Sequence, residues 1–494
     1  MSKRHLLMTL LFALCCLSGV AAAQDELPPV ELDYYFIGWN VTDLQLVEDR
    51  VNEIVQPQIN ATVNLNLIEW GSYAERMRLI AASGEQCDLM FLNAQWNPYP
   101  PMVANGALLP LDDLLPEYAP KLWASIPEDM WDAVRVNGQI YAAINQGLQA
   151  LAYGIWLRVD LMEQYGFDWE AADSYEDVGE LLAAIAEDQP DIKVFSAAGT
   201  PHGRLWFPQA WGVDPIGSPN NMLGIRIDDE SLTVHNATEM EEYRQAAELT
   251  REWYTSGYFP ADPPSSGDII AARSAGMVSG MIWNNIPGVD YFVATGEYGG
   301  REVRQLVLTD PVMTTDTVAN SLTGVCATSP NPERAVMLIE LLNSDPYLLT
   351  TLVRGVEGVH WVWVDEEQNL AGLPEGATPD EINTAYRAPD WIFGSKFNLA
   401  YGHPSEIGAY EQIQALNESA IRSVALGFVA DYEPVRTEVA QVQAAHQQYC
   451  EPVERGMVDI ETGLAECQAR LEEAGIDAIV TEIQNQVNAW AESR

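Results

Sequence analysis

Residues 32–92 read LDYYFIGWNVTDLQLVEDRVNEIVQPQINATVNLNLIEWGSYAERMRLIAASGEQCDLMFL, and this stretch decides the fold class. Leu32–Ile37 is aromatic and β-rich and stops at Gly38. Leu44–Val55 has apolar residues at helical spacing, with Thr42 or Asp43 as its cap. Val63–Ile68 reads as a second strand. Ser72–Ala82 reads as a second helix, and Ser72 with Glu75 three residues on predicts a capping box. Leu89–Leu92 is a third strand, apolar throughout. Such strands alternating with helices predict a parallel sheet covered on both faces. Ligands of such sheets sit beyond the strands' carboxyl ends. Those ends carry Trp39-Asn40, Glu69-Trp70 and Asn93-Ala94-Gln95-Trp96.

The whole chain has 494 residues, 48% hydrophobic and 20% charged, enough core material for two large lobes or about three domains. Asp and Glu number 72 against 25 Lys and Arg, for a net charge of -47, and only four of the bases are lysines. That field excludes nucleic acid and anionic membrane surfaces as partners. The acids are spread along the chain, which reads as a solvated surface.

Residues 1–23 read as a signal peptide. Lys3 and Arg4 precede an apolar stretch, Leu6–Val20, too short to span a bilayer, and Ala21-Ala22-Ala23 supplies the cleavage site. The chain is therefore expected to be exported, to the periplasm or the extracellular face of a bacterial membrane. Neither Cys15 nor Cys16 has the preceding residues of a lipid-attachment site, so no lipid anchor is expected. Export permits disulfides. Cys450 and Cys467 flank a turn at Pro452 and Gly456 between two helical patterns, and a staple between them is expected. Cys87 and Cys326 each lie in an apparent strand, either bridged or as two buried thiols.

Further on, Val136-Asn137-Gly138-Gln139 is a tight turn. Helices are expected at Tyr175–Ala186, at Met240–Tyr254 with Gly257 as its C-cap, and from Asn331 as cap with Pro332 at the first position. Ala275–Trp283 reads as a turn and strand that delivers Trp283 to a strand end. Strands are expected at Val303–Leu308 and Ser321–Ala327. From Ser405 the pattern is mostly helical, with Gly427 and Gly475 as stops and Ile479, Ile483, Val487 and Trp490 as the inner stripe of the last helix.

Catalytic and metal signatures are absent. His202, His235, His360, His403 and His446 show no metal-ligand spacing, and there is no CxxC, Gly-x-Ser-x-Gly, Walker A, GxGxxG or EF-hand loop. Aromatic placement is the informative feature. Of fifteen tryptophans, Trp39, Trp70, Trp96, Trp283, Trp361, Trp363 and Trp391 fall at strand ends or loops. An indole offers a flat apolar face to the C–H surface of a sugar ring, and nearby amides and carboxylates bond its hydroxyls. Trp123, Trp131, Trp169, Trp253 and Trp490 lie on helical patterns and read as packing residues.

Taken in order, several segments resemble the extracellular solute-binding protein family 1 of ABC importers. Cys87-Asp88-Leu89-Met90-Phe91 resembles its "PDL.F" strand, Gly106–Asp112 its "G.L.PLD" segment, and Asn137–Ala142 its "NGKIYA" hairpin. Arg158–Met162 with Tyr165-Gly166 is similar to "RKDLLEKYG". Asn331–Ala335, Leu341–Pro346 and Gly355–Trp361 are similar to "NPERA", "LLYTDP" and "GIEGKHY". The C-terminal region, with Trp391-Ile392-Phe393-Gly394 and Ala474–Asp477, resembles the domain of unknown function 3502 of the LipO-like branch.

The resemblance implies an α/β, two-lobed fold of the type II periplasmic-binding-protein kind, with a hinge cleft and a helical C-terminal region. Lobe 1 would be 30–145 plus 310–355, lobe 2 would be 146–309, and 356–494 would pack across both. It also implies a receptor that closes like a clamshell on a saccharide and delivers it to the transmembrane subunits of an ABC permease. Such a receptor is expected to act as a monomer, with no cofactor, no metal and no catalytic residue. The expected ligand-binding residues are Trp39, Trp96 and Trp283 by stacking, Asn93, Gln95, Gln146 and Glu357 by hydrogen bonds, and Trp391 from a loop. The few lysines favour a neutral saccharide. A peptide or polyol receptor, a sensor-kinase receptor and a secreted carbohydrate-active enzyme are the alternatives.

Overall fold

The computed structural model describes residues 27–93, 97–196, 207–260 and 266–493. The signal segment and the candidate residues Gln95 and Trp96 lie outside these. The chain divides into two compact units. Unit 1 holds the described residues of 27–131, 135–146 and 319–402, and unit 2 holds those of 132–134, 147–318 and 403–493. This differs from the expected later boundaries. Residues 310–318 belong to unit 2, and the expected C-terminal region is split between Gly402 and His403.

Unit 1 is built on β1 (Val30–Gly38), α1 (Leu44–Ile59), β2 (Ala61–Glu69), α2 (Tyr73–Ser83) and β3 (Leu89–Leu92). β1 pairs in parallel with β2 along its whole length, Tyr34 opposite Leu65, and with β3, Tyr34 opposite Leu89. The strand Leu322–Val325 runs antiparallel between β3 and the strand Ala142–Ile144, with Leu322 opposite both Leu92 and Ile144. β1, β2, β3 and Ala142–Ile144 therefore end at one edge. α1 covers the sheet with Val47, Val51, Val55 and Ile59, four residues apart, all buried.

The two N-caps differ from the sequence expectation. Ser72 is helical and its hydroxyl caps nothing; its N–H donates to Glu69, and Glu75 pairs with Arg78 instead. Asp43 precedes α1 but accepts from Thr42 Oγ1 and lies 3.3 Å from His360 Nε2. Gly427 likewise ends no helix; at φ 94° it lies in a turn 3.3 Å from the Asp132 carbonyl, measured from where a Cβ would stand.

Several residues of the resembling motifs act as clamps. Asp88 is buried, accepts from Asp33 N at 2.9 Å and from Ser329 Oγ at 2.5 Å, and so ties β3 to β1. Asp112 holds the 135–140 hairpin by Arg135 at 2.7 Å and Ile140 N at 3.1 Å. Arg334 is buried and donates to the carbonyls of Ile59 and Asn60, which end α1. The Cys87–Cys326 disulfide joins the segment before β3 to the one after Leu322–Val325.

Unit 2 holds a four-stranded sheet in the order Val303–Val307, Tyr153–Arg158, Val278–Asn284, Lys193–Ser196. A smaller sheet of Val213–Asp214, Leu223–Arg226 and His235–Asn236 supports the C-terminal helices. Ile479, Ile483 and Val487 of the helix Ile476–Glu492 are buried with Leu464, Val442, Ile225, Met240 and Ala247 in one cluster, and Trp490 packs against it. This shared core is why 403–493 belongs to unit 2. Cys450 and Cys467 are bonded within it.

Two carboxyls lie near one another in unit 2, Asp214 buried in the strand Val213–Asp214 and Asp316 partly buried. Asp214 accepts from Ile216 N at 2.8 Å, and Asp316 accepts from Gly217 N. Burial, and then the Asp214 charge, push the Asp316 carboxyl up to about 6. The folded state thus holds a proton between about pH 4 and 6 that the unfolded chain has lost. Its contribution is fully present below about pH 4 and disappears as the pH rises through 6. Asp316→Asn should therefore raise stability at pH 7.5 by about 3 kcal/mol, with the gain shrinking towards zero at pH 4. Urea melts at the two pH values check this, and an equal gain at both would contradict it.

The disulfides should differ in weight. Cys87–Cys326 spans 239 residues and Cys450–Cys467 spans 17. Loop-closure entropy assigns about 5 and about 3 kcal/mol to them. Paired Cys→Ala variants compared by denaturant melts should show the larger loss for the first pair.

Candidate functional site

The edge where β1, β2, β3 and Ala142–Ile144 end carries a run of rings in unit 1. Trp39 follows β1 and Trp70 follows β2; their ring centroids are 5.5 Å apart at 57°. Trp391 lies 6.4 Å from Trp70 at 32° and meets the buried Phe91 of β3 edge-on at 5.5 Å. The Arg387 guanidinium sits 4.1 Å from the Trp39 ring centroid. All three indoles are partly exposed. Partial exposure at strand ends is what a stacking surface needs, since a fully buried ring offers no face.

Backbone anchors fix these rings. Thr42 N and Asp43 N donate to the Ala385 carbonyl at 3.1 and 2.9 Å, which holds the loop after Trp39 against the helix Pro379–Ala385. His360 reinforces that loop. Its Nδ1 accepts from Val356 N at 2.9 Å, so its Nε2 carries the proton and faces Asp43. Burial holds the His360 imidazole below its usual range, although Asp43 acts against this. Gly355, at φ 90°, leaves the space this ring occupies; a Cβ there would lie 2.6 Å from Nδ1. The motif Gly355–Trp361 is thus a brace for the loop after β1.

The Trp391 loop is sewn to the sheet edge. Ser321 Oγ donates to the Trp391 carbonyl at 2.7 Å, and Asn145 Nδ2 to the Ile392 carbonyl at 2.9 Å. Gln146 N donates to Gly394 O at 2.7 Å, and Lys396 N to Gln146 O at 2.8 Å. Lys396 Nζ closes the loop on Asp390 at 2.8 Å; burial pushes the Asp390 carboxyl up, but the charge and hydrogen bond of Lys396, together with the Arg354 charge, hold it below its usual range.

The expected hydrogen-bonding residues are placed differently from the rings. The Gln146 amide donates to Asn343 Oδ1 at 3.3 Å, so Gln146 serves the frame of the site. Glu357 is exposed and accepts from Tyr347 Oη at 3.0 Å, and Tyr347 Oη accepts from Arg50 at 3.0 Å. It is not paired with Arg354, whose guanidinium donates to Ala400 O. Asn93 is buried, and its N–H donates to Asn97 O at 3.0 Å. Trp361 is buried with Trp363 and Tyr347 in a separate cluster. Arg387 is the site residue that periodicity and motif did not single out.

Unit 2 carries its own ring group. Trp283, one residue before the end of its strand, meets Phe207 edge-on at 5.6 Å, and Phe207 stacks on Tyr153 at 5.1 Å. Phe207 has φ 67°, a left-handed conformation that costs a β-carbon residue about 1–3 kcal/mol. Trp123 and Trp131 stack on each other, Trp253 is fully buried and Trp490 meets Phe428, so these helical tryptophans pack as their spacing predicts, whereas Trp169 lies in a turn after the helix Val159–Tyr165, under Arg304. Among the described residues no group of His, Cys, Asp and Glu is placed to hold a metal.

Residues 424–492 match the domain of unknown function 3502. A carbohydrate ABC transporter substrate-binding protein of Streptococcus pneumoniae is 22% identical over 488 residues, covering 97% of this chain and 94% of that protein. The crystal structure of the N-glycan transport solute binding protein NgtS from Streptococcus pneumoniae is similar at a TM-score of 0.83 and 22% identity, covering 94% of this chain and 99% of that one. Its complex with Man5GlcNAc gives 0.70 at 21% identity and the same coverage. The fold is of the two-lobed, type II periplasmic-binding-protein class with a helical C-terminal region. Residues 51–347 match the bacterial extracellular solute-binding protein family, and the chain belongs to that family.

Proposed function

We propose that this protein is the extracytoplasmic receptor of an ABC importer and that its solute is an oligosaccharide. The observation that carries the reading is the run of partly exposed indoles, Trp39, Trp70 and Trp391, held rigidly at the carboxyl edge of the unit 1 sheet. Rings tilted to one another suit successive sugar faces better than an extended peptide, whose recognition runs through main-chain hydrogen bonds. The partly exposed Trp283 and Phe207, the latter backed by the buried Tyr153, give unit 2 a smaller surface of the same kind, and the strained Phe207 backbone is the kind of cost that binding sites carry. The named functions of the relatives, carbohydrate transport and N-glycan transport, agree with this reading.

In this reading the protein is a monomer without a lipid anchor. It performs no catalysis, it delivers ligand by closure, and its partner is the transmembrane part of a permease. The saccharide is neutral over most of its length, since four lysines in the whole chain leave little to meet a polyanion.

A thermal-shift screen of oligosaccharides, peptides and polyols tests the class of solute. A ligand at 100 times its dissociation constant should add about 2.7 kcal/mol of stability. An oligosaccharide is expected to stabilise the protein unchanged; its hydrolysis would establish an enzyme, and stabilisation by a peptide alone would refute the saccharide reading. Trp39→Ala, Trp70→Ala and Trp391→Ala should each weaken calorimetric binding by about 10- to 100-fold. Gln146→Ala should act on melting temperature more than on affinity.

A further inference from the structure

Cations are scarce in this chain, with 25 Lys and Arg against 72 Asp and Glu. The buried or half-buried arginines are accordingly tied down. Arg158 donates to Asp160 and Gly276 O, Arg334 to the end of α1, and Arg354 to Ala400 O. Arg387 differs. Its backbone is pinned on either side, by Tyr386 Oη donating to Leu352 O at 2.7 Å and by Ala388 N donating to Val353 O at 3.2 Å. Its guanidinium rests over Trp39, and its Nε is buried without a hydrogen-bond partner. No described residue gives the group an ion pair or hydrogen bond. Burial lowers its proton affinity, and no carboxylate offsets that effect.

A half-buried cation left unpaired in so acidic a chain is costly to the free protein. Stacking on the indole fixes the orientation of the planar guanidinium, whose fork of N–H donors suits a two-oxygen acceptor. We propose that Arg387 is a specificity residue of the site, reading one anionic oxygen group, a carboxylate or a sulfate ester, on an otherwise neutral oligosaccharide. The inference rests on the saccharide reading above. It refines the preference for a neutral ligand that scarce lysines suggest, because one fixed guanidinium selects a single charge at a single place, where a basic surface would accept many. The surrounding negative field then rejects ligands that carry further charge.

An array of oligosaccharides in neutral, carboxylated and sulfated forms of the same backbones tests this with the mature protein, Arg387→Gln and Arg387→Lys. The wild type is expected to favour one charged form over its neutral counterpart by about 10- to 100-fold, and the preferred arm identifies carboxylate or sulfate. In Arg387→Gln the ratio of charged to neutral affinity should collapse towards one, and in Arg387→Lys it should be intermediate, since lysine keeps the charge but loses the fork. Equal wild-type affinity for charged and neutral forms would overturn the inference and leave the saccharide reading intact. So would an Arg387→Gln that weakens both forms alike, because Arg387 would then only prop Trp39. If the wild type binds no glycan of any form, the saccharide reading falls and the inference falls with it.

Discussion

The buried amide of Asn145 holds the frame of the unit 1 site. Its Nδ2 donates to Ser321 Oγ at 3.1 Å and to Ile392 O, and its Oδ1 accepts from Thr323 Oγ1 at 3.0 Å. Two stretches of chain, distant in sequence from Asn145 and from each other, meet on this one side chain. The strand Leu322–Val325 supplies Thr323, the turn before it supplies Ser321, and the Trp391 loop supplies a carbonyl. A buried amide with these partners satisfied fixes its neighbours strongly, because each unmade bond would cost a desolvated polar group. Gln146 extends the same clamp, so a loop without regular structure presents Trp391 with the precision of a strand end.

That frame separates the motif residues from the proposed ring surface. Asp88, Asp112, Arg334 and the Gly355–Trp361 turn carried the resemblance to the family, and each proves to be a clamp on backbone groups. Their side chains are spent on backbone groups of the fold. The proposed ligand surface, Trp39, Trp70, Trp391 and Arg387, is what the clamps hold in place. A receptor that discriminates among solutes can keep the first set and vary the second.

Much of this was legible in the sequence. Buried parallel strands show as apolar runs, so β1, β2 and β3 and the helices between them could be read, strand ends pointed to Trp39, Trp70 and Trp283, and Trp391 was read as a loop residue. Caps were less legible: the backbone of Ser72 is already helical, so its hydroxyl is not placed to cap, and Asp43 faces His360, a partner only the tertiary structure supplies. For Gln146 and Glu357 the sequence shows only a polar side chain; their bonds to Asn343 and Tyr347 are a property of the tertiary structure. Arg387 was missed for a related reason. An isolated arginine after a short helix has no periodic signal; what sets it apart is the absence of a partner, which is a property of space. The pairing of Cys87 with Cys326 was left open by sequence, since only the antiparallel register of β3 with Leu322–Val325 brings them together.

The claim that a saccharide rests on the rings of unit 1 is tested most directly by hydrogen–deuterium exchange. The intact mature protein would be compared with and without a saturating oligosaccharide found by the screen. Binding on the ring surface predicts slowed exchange in residues 39–43, 70–73 and 387–393, the segments that carry and anchor Trp39, Trp70, Arg387 and Trp391. A bound oligosaccharide that leaves exchange in all three segments unchanged would contradict it.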